Sequence, residues 1–217
     1  GDKMKKTISF IIAFGILSLF ASCKESLNTS TSESESTSVI PPESSSIIGS
    51  SNNSSNSKNA IVVYFSATNN TKNVALNISS YLNLPIYELE PVNPYTSSDL
   101  NYSNQNSRVV KEHNDSNRHV ELQTVSFEGY DEADYVFLGA PVWWQELSWV
   151  VDDFLKLNDF TGKTIVPFAT SSSSGFSTRR HEALAFGATW MQGQRFSSRA
   201  TSSQIETWID GLNLNIK

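Results

Sequence analysis

Ala60-Ile61-Val62-Val63-Tyr64-Phe65 is an unbroken apolar, β-branched and aromatic run, followed at once by Ser66-Ala67-Thr68-Asn69-Asn70-Thr71. A strand that is apolar at every position, rather than at every second one, is buried on both faces, as in a parallel sheet. The polar stretch then opens a helical spacing over residues 70–82, with Val74, Ile78, Tyr81 and Leu82 on one side. The alternation begun by this strand–loop–helix unit continues along the rest of the chain. Ile86–Leu89 reads as a short strand, and Tyr135–Gly139 and Thr164–Ala169 as two more buried ones. Helices are expected near Asp99–His113, over Leu147–Leu157 with Val150, Val151, Phe154 and Leu155 as its apolar stripe, over Thr178–Phe186 and over Ser203–Leu212. A further strand lies within Thr189–Phe196. Alternating strands and helices give an α/β domain whose right-handed crossovers place helices on both faces of the sheet.

In such a sheet ligands bind beyond the carboxyl ends of the strands, at a topological switch point. The residues that directly follow the three buried strands therefore matter most. The first loop, Ser66–Thr71, offers hydroxyls, amides and a helix N-terminus, where free N–H groups favour a phosphate. The same residues equally suit a plain N-capping turn. The second stretch, Ala140-Pro141-Val142-Trp143-Trp144-Gln145, holds two adjacent indoles. Neighbouring side chains point different ways, so at least one indole should flank a cleft and offer a face to a flat ligand, unless both fill the core. The third, Thr170-Ser171-Ser172-Ser173-Ser174-Gly175, is small and polar and lets backbone approach a ligand, or serves only as a turn.

Together these three stretches resemble the flavodoxin family, over almost all of residues 60–212. Tyr64–Thr71 is similar to its phosphate loop, Gly139-Ala-Pro-Val-Trp-Trp144 to its flavin-flanking loop, and Gly162–Thr170 with the following serines to its fourth strand and third loop. Trp190, Gly193, Trp208 and Ile209 fit the closing section. The resemblance implies a doubly wound three-layer α/β sandwich with a five-stranded parallel sheet in the order 2-1-3-4-5, and flavin mononucleotide (FMN) as cofactor. Residue by residue it implies Ser66, Thr68, Asn69, Asn70 and Thr71 around the phosphate. Pro141, Val142, Trp143 and Trp144 would lie along the ribityl chain and ring, and Thr170, Ser171, Ser172, Ser173, Ser174 and Gly175 on the ring's other side. Two departures stand out. Asn69 replaces the family's glycine, and asparagine tolerates positive φ better than most residues. Gln145 and Glu146 replace a glycine–small pair at the rim of the site.

The implied function is electron transfer to or from a redox partner through the flavin. The alternatives are an FMN-dependent reductase acting on a small acceptor such as a quinone, and a surface flavin-binding module without turnover. The sequence shows no recognisable nicotinamide-binding domain, which favours the carrier, and no pairing of histidine with Ser, Cys or Asp that demands nucleophilic catalysis. Arg179 and Arg180 follow the third loop and either reach an anionic partner or open a solvated helix.

The chain as a whole has 217 residues and a net charge of -6. The acidity sits in residues 59–217, with 11 Lys/Arg against 17 Asp/Glu, which argues against a nucleic-acid binder. One cysteine excludes an intramolecular disulfide or a multi-cysteine metal site, and three scattered histidines do not compose a metal centre. Upstream, residues 1–23 read as a signal peptide: Lys3, Lys5 and Lys6, then an apolar run from Thr7 to Phe20. That run is short of the roughly 20 residues of a membrane span. Its end, Leu19-Phe20-Ala21-Ser22-Cys23, resembles a bacterial lipoprotein cleavage box, implying lipid on Cys23 and an extracytoplasmic protein held at the cell membrane by that anchor alone. Residues 24–58 contain 14 serines in 35 residues. With little apolar area to offset chain ordering they are expected to form a disordered linker. Residues 59–217 are the expected folded domain.

Overall fold

The computed structural model describes residues 57–216. The signal-like segment, Cys23 and nearly all of the serine-rich linker lie outside the described residues. Strand β1 (Ala60–Tyr64) leads into α1 (Asn70–Leu82), then β2 (Ile86–Glu88). A long connection carrying α2 (Arg108–Asn114) reaches β3 (Tyr135–Trp143). A two-residue strand β4 (Glu146–Leu147), a 3-10 turn (Trp149–Val151) and α3 (Asp152–Leu157) follow. The chain closes with β5 (Thr164–Thr170), α4 (Arg179–Glu182), β6 (Thr189–Trp190), β7 (Gln194–Phe196) and α5 (Ser202–Gly211).

The sheet runs β2-β1-β3-β5, with β6 and β7 both paired to β5, and each of these pairings is parallel. This is the expected five-position order, its last position supplied by two short pieces. Between them Gly193 passes under the ring of Phe176, where a Cβ would come within 2.5 Å. β4 stands apart as an antiparallel return on the end of β3.

Both faces of the sheet are covered, which is why β1, β3 and β5 read as continuous apolar runs. Val62, Tyr64, Phe137 and Phe168 face α1 and α5, through Val74, Ile78, Ile205 and Ile209. Ile61, Val63, Val136 and Leu138 face the other layer, through Val109, Val151, Phe154 and Leu155. Each large side chain buried in this way contributes about 1.5–3 kcal/mol. Gly139 is required by packing, because a Cβ there would lie 2.2 Å from the Phe168 ring.

Several elements are shorter than the sequence spacing suggests. The helix expected near Asp99–His113 begins only at Arg108. Before it, Asn101 and Asn104 side chains accept from the backbone N–H of Ser103 and Asn106, at 3.1 and 3.0 Å. Such local bonds compete with a helix. The Leu147–Leu157 stripe is buried as expected, but regular helix starts at Asp152, because Leu147 is paired to Val142 and the Ser148 N–H donates to the Pro141 carbonyl at 2.9 Å. The helix expected over Thr178–Phe186 shrinks to α4. Tyr81 leaves the apolar face of α1: it is 45 % exposed, and its hydroxyl donates to Asp210 at 2.8 Å. Lys58 already belongs to the folded unit, its N–H donating to the Asn215 carbonyl at 2.8 Å.

Candidate functional site

The carboxyl ends of β1, β3 and β5 lie side by side where the strand order reverses, with β2 on one flank of β1 and β3 on the other. All three sequence-selected stretches meet at this end. In the first, Asn69 adopts φ 63°, the left-handed conformation a glycine usually supplies, and its side chain does not cap α1. The first-turn N–H groups of α1 therefore receive no cap from Asn69. Asn70 donates to the Thr68 hydroxyl at 3.1 Å, while Thr68 and Asn69 remain exposed. Thr71 is buried, and its hydroxyl meets that of Thr170 at 2.8 Å, which ties the first stretch to the end of β5. The Ser66 Oγ is buried with no hydrogen-bond partner among the described residues. A buried hydroxyl without a partner costs about 1–3 kcal/mol.

The second stretch is strand for longer than expected. Pro141, Val142 and Trp143 continue β3, with Pro141 in register with Thr170. The chain then reverses at Trp144 and Gln145, both at positive φ (47° and 65°), and β4 returns with Val142 opposite Leu147 and Trp143 opposite Glu146. This two-residue turn normally takes Asn or Gly, and each ordinary side chain held left-handed costs about 1–2 kcal/mol. The two indoles part company. Trp143 is half-buried and edge-on to Trp149 at 4.8 Å, Tyr95 at 5.2 Å and Phe65 at 5.8 Å. Trp144 is 39 % exposed and stacks on His113 with centroids 4.1 Å apart and 13° between planes. Val142, Trp143, Trp144 and Tyr102 line an open hollow of about 290 Å³. A second hollow of about 270 Å³ lies beside Ser66, Phe65 and Tyr95.

In the third stretch Thr170 is the buried last residue of β5. Ser171 is tied down through its N–H to the Phe196 carbonyl at 3.1 Å, and its hydroxyl donates back to the Ser174 carbonyl. Ser172, Ser173, Ser174 and Gly175 are exposed. The chain next crosses to the second stretch, where the Ser177 N–H donates to the Gln145 carbonyl at 2.9 Å.

The long connection brings residues that spacing alone did not mark. Glu112 of α2 accepts from the Tyr95 hydroxyl, from Arg108 Nε at 2.6 Å and from Trp149 Nε1 at 2.8 Å, while the Arg108 guanidinium lies 3.9 Å over the Tyr95 ring. Burial and this bond to Glu112 push the Tyr95 phenol upward, so it stays protonated. Tyr102 is 76 % exposed at the edge of the tryptophan hollow. The i,i+4 spacing of Arg108 and Glu112 was the one local signal of this network. Nothing in the sequence placed Tyr95, Tyr102 or His113 against the tryptophans. Burial and the Arg118 charge hold His113 below the usual histidine range.

Arg180 is neither solvated nor free. It forms a bidentate pair with Asp152 (2.7 and 3.0 Å), reaches Glu146 at 2.8 Å and meets His181 Nε2 at 2.9 Å. Burial disfavours its charge, but the hydrogen bonds and charges of Asp152 and Glu146 outweigh that and raise its pKa. Among the described residues no group of three or more His, Cys, Asp or Glu could hold a metal, and no helix is long and apolar enough to cross a membrane. The arrangement can seat an anion at α1 and a flat aromatic group beside the tryptophans.

Residues 59–212 match the family model described as Flavodoxin. Among solved structures, an inferred flavoprotein from Bacteroides eggerthii is 30% identical, with a TM-score of 0.66, covering 72% of this chain and 99% of its own. A second, from Bacteroides uniformis, is 29% identical, with a TM-score of 0.66 and coverages of 71% and 99%. A flavoprotein in complex with FMN from Lactobacillus acidophilus has the same fold at 18% identity, with a TM-score of 0.51 and coverages of 70% and 99%. No curated protein matches the chain. With its parallel order, its strand-end loops and a family match that spans the folded part, this chain belongs to the flavodoxin family.

Proposed function

We propose that the domain binds FMN at the carboxyl ends of β1, β3 and β5 and serves as an electron carrier for a redox partner. The observation that carries this reading is the buried Ser66 hydroxyl, without a partner among the described residues, beside a start of α1 that Asn69 does not cap. A phosphate would satisfy that hydroxyl and the first-turn N–H groups together, and would sit at the positive end of the helix dipole. Thr68, Asn69, Asn70 and Thr71 complete this nest, with Thr71 held in place by Thr170. Pro141, Val142, Trp143 and Trp144 offer an apolar wall for the ring, and Thr170–Gly175 a small polar one. FMN, when bound, supplies reversible uptake of one or two electrons. The chain's own residues anchor the phosphate and shield the ring from water, and the net negative charge of the domain disfavours added negative charge. A partner of either kind, protein or small acceptor, would meet the ring at the exposed Trp144 edge. By the same proposal Cys23 carries a lipid that holds the domain outside the cytoplasmic membrane.

Denaturing the purified protein and chromatographing the released cofactor should yield FMN; recovery of only the adenine dinucleotide would overturn the cofactor assignment. Mixing the flavin-loaded protein with a nicotinamide donor and a quinone should give no sustained turnover, whereas steady consumption would make it a reductase. Wild-type protein should fractionate with membranes in a detergent-dependent way and Cys23→Ser should not. Retention of the variant would exclude the anchor.

A further inference from the structure

The turn at Trp144-Gln145 poses a physical question: what holds two successive non-glycine residues left-handed on a hairpin whose return strand is two residues long? Such a conformation persists only where its surroundings over-determine it. Besides the contact of Trp144 with Trp149 at 5.7 Å, three tethers act on it. Trp144 stacks on His113, Ser177 donates to the Gln145 carbonyl, and Arg180 Nε donates to Glu146. Arg180 differs from the other two in reach. It rises from α4, directly after the third strand-end stretch, and its guanidinium is locked by the Asp152 carboxylate at the start of α3. A planar fork anchored on two edges is stiff where a lysine would be a loose point charge. His181, fully buried beside it, takes a further contact at Nε2.

We propose that Arg180 is a positioning residue for the ring wall: by holding Glu146 it fixes the strained hairpin that carries Trp143 and Trp144 and sets its distance from the third strand-end stretch. Glu146 lies directly opposite Trp143 in register and two residues after Trp144, so a displacement of Glu146 moves both indoles. Arg180 acts through the hairpin and not on the ligand. This inference rests on the FMN reading for the meaning of the wall, but not for the geometry of the hairpin.

The test uses Arg180→Lys and Glu146→Gln; the second keeps side-chain volume and removes one charge, so it remains informative if the first folds poorly. Two readouts are taken on each full-length variant. One is FMN affinity by titration. The other is fluorine NMR of 5-fluorotryptophan-labelled, flavin-free protein, with the Trp144 and Trp208 signals assigned from Trp→Phe variants. Each variant should weaken FMN binding at least fivefold and shift or broaden the Trp144 signal while leaving Trp208, on the opposite face, in place. The double variant should lose no more affinity than the worse single one, since both act on the same Arg180–Glu146 tether. An unmoved Trp144 signal, or a moved signal with unchanged FMN affinity, would overturn the proposal. Failure of the unsubstituted protein to bind FMN is a separate result: it removes the flavin reading, and the Trp144 signal then decides by itself whether Arg180 holds the hairpin.

Discussion

Ser66 and Trp144, both at the strand-end site, each carry a cost to the folded chain. Ser66 buries a hydroxyl without a partner. Replacing it with alanine should leave the flavin-free protein as stable or up to about 1 kcal/mol more stable, and should weaken FMN binding about tenfold by removing a hydrogen bond to a charged group. Urea unfolding beside FMN titration checks both, and a parallel loss of stability would show that the hydroxyl serves the fold. Trp144 is half-free, held on one face by His113, whereas Trp143 is knit edge-on into Phe65, Tyr95 and Trp149. Trp144→Ala should therefore weaken FMN binding at least tenfold and change stability by under about 1 kcal/mol, while Trp143→Ala should cost about 2–4 kcal/mol of stability as well. Denaturation and flavin fluorescence of the two variants give the comparison; native affinity and quenching in both would make the pair core packing. At this scale much was legible. Asn69 was expected to accept positive φ and does, at 63°. The strained pair Trp144-Gln145 was not, because a side chain's tolerance of a left-handed turn depends on tethers from distant elements such as α4.

The elements built around α4 respond to pH through His181. Its ring is fully buried, and burial, with the nearby Arg180 and Arg118 charges, pushes its pKa down to about 3. Asp152 lies 3.6 Å from the ring, but its carboxylate is already engaged by Arg180. Since the folded value lies below the unfolded one of about 6.5, the unfolded chain takes up the proton first as pH falls. Stability is thus full above pH ~6.5 and is lost towards pH ~3, by up to about 1.4 kcal/mol per pH unit, with His113 adding in the same direction. The slope of unfolding free energy against pH between 4 and 6.5 should flatten in His181→Gln; an unchanged slope would refute the assignment. On the same layer Lys163 is buried, with its ammonium donating to the Tyr130, Asp131 and Ala133 carbonyls at 2.9, 2.8 and 2.9 Å. Lys163→Met strands those carbonyls and should cost about 2–3 kcal/mol in urea unfolding. A loss below about 0.5 kcal/mol would mean that water replaces the ammonium. The apolar runs of β1, β3 and β5 made the strands readable, because burial on two faces leaves a plain mark. The helices were less so, since the Asn101 and Asn104 side chains commit the backbone to turns and the Ser148 N–H is drawn to the Pro141 carbonyl, bonds that periodicity does not register.

At the scale of the molecule, the parallel order follows from strands that alternate with helices, and the site follows from the order, because the reversal beside β1 leaves a crevice at the strand ends. The long connection before β3 stayed opaque for a physical reason. Its place is fixed by Glu112 gathering Tyr95, Arg108 and Trp149, contacts up to 37 residues apart in the chain. Ligand binding should also register globally: FMN at a hundred times its dissociation constant stabilises the folded state by about 2.7 kcal/mol. In the proposed function the phosphate nest anchors the ligand, and riboflavin has the same ring without the phosphate. Calorimetric titration of the flavin-free domain with FMN and with riboflavin isolates that nest. FMN should bind one to one and at least a hundredfold more tightly than riboflavin, a difference of about 3 kcal/mol, as two hydrogen bonds to a charged group would give. Equal affinity for the two, or no binding of either, would contradict the flavin site at the ends of β1, β3 and β5.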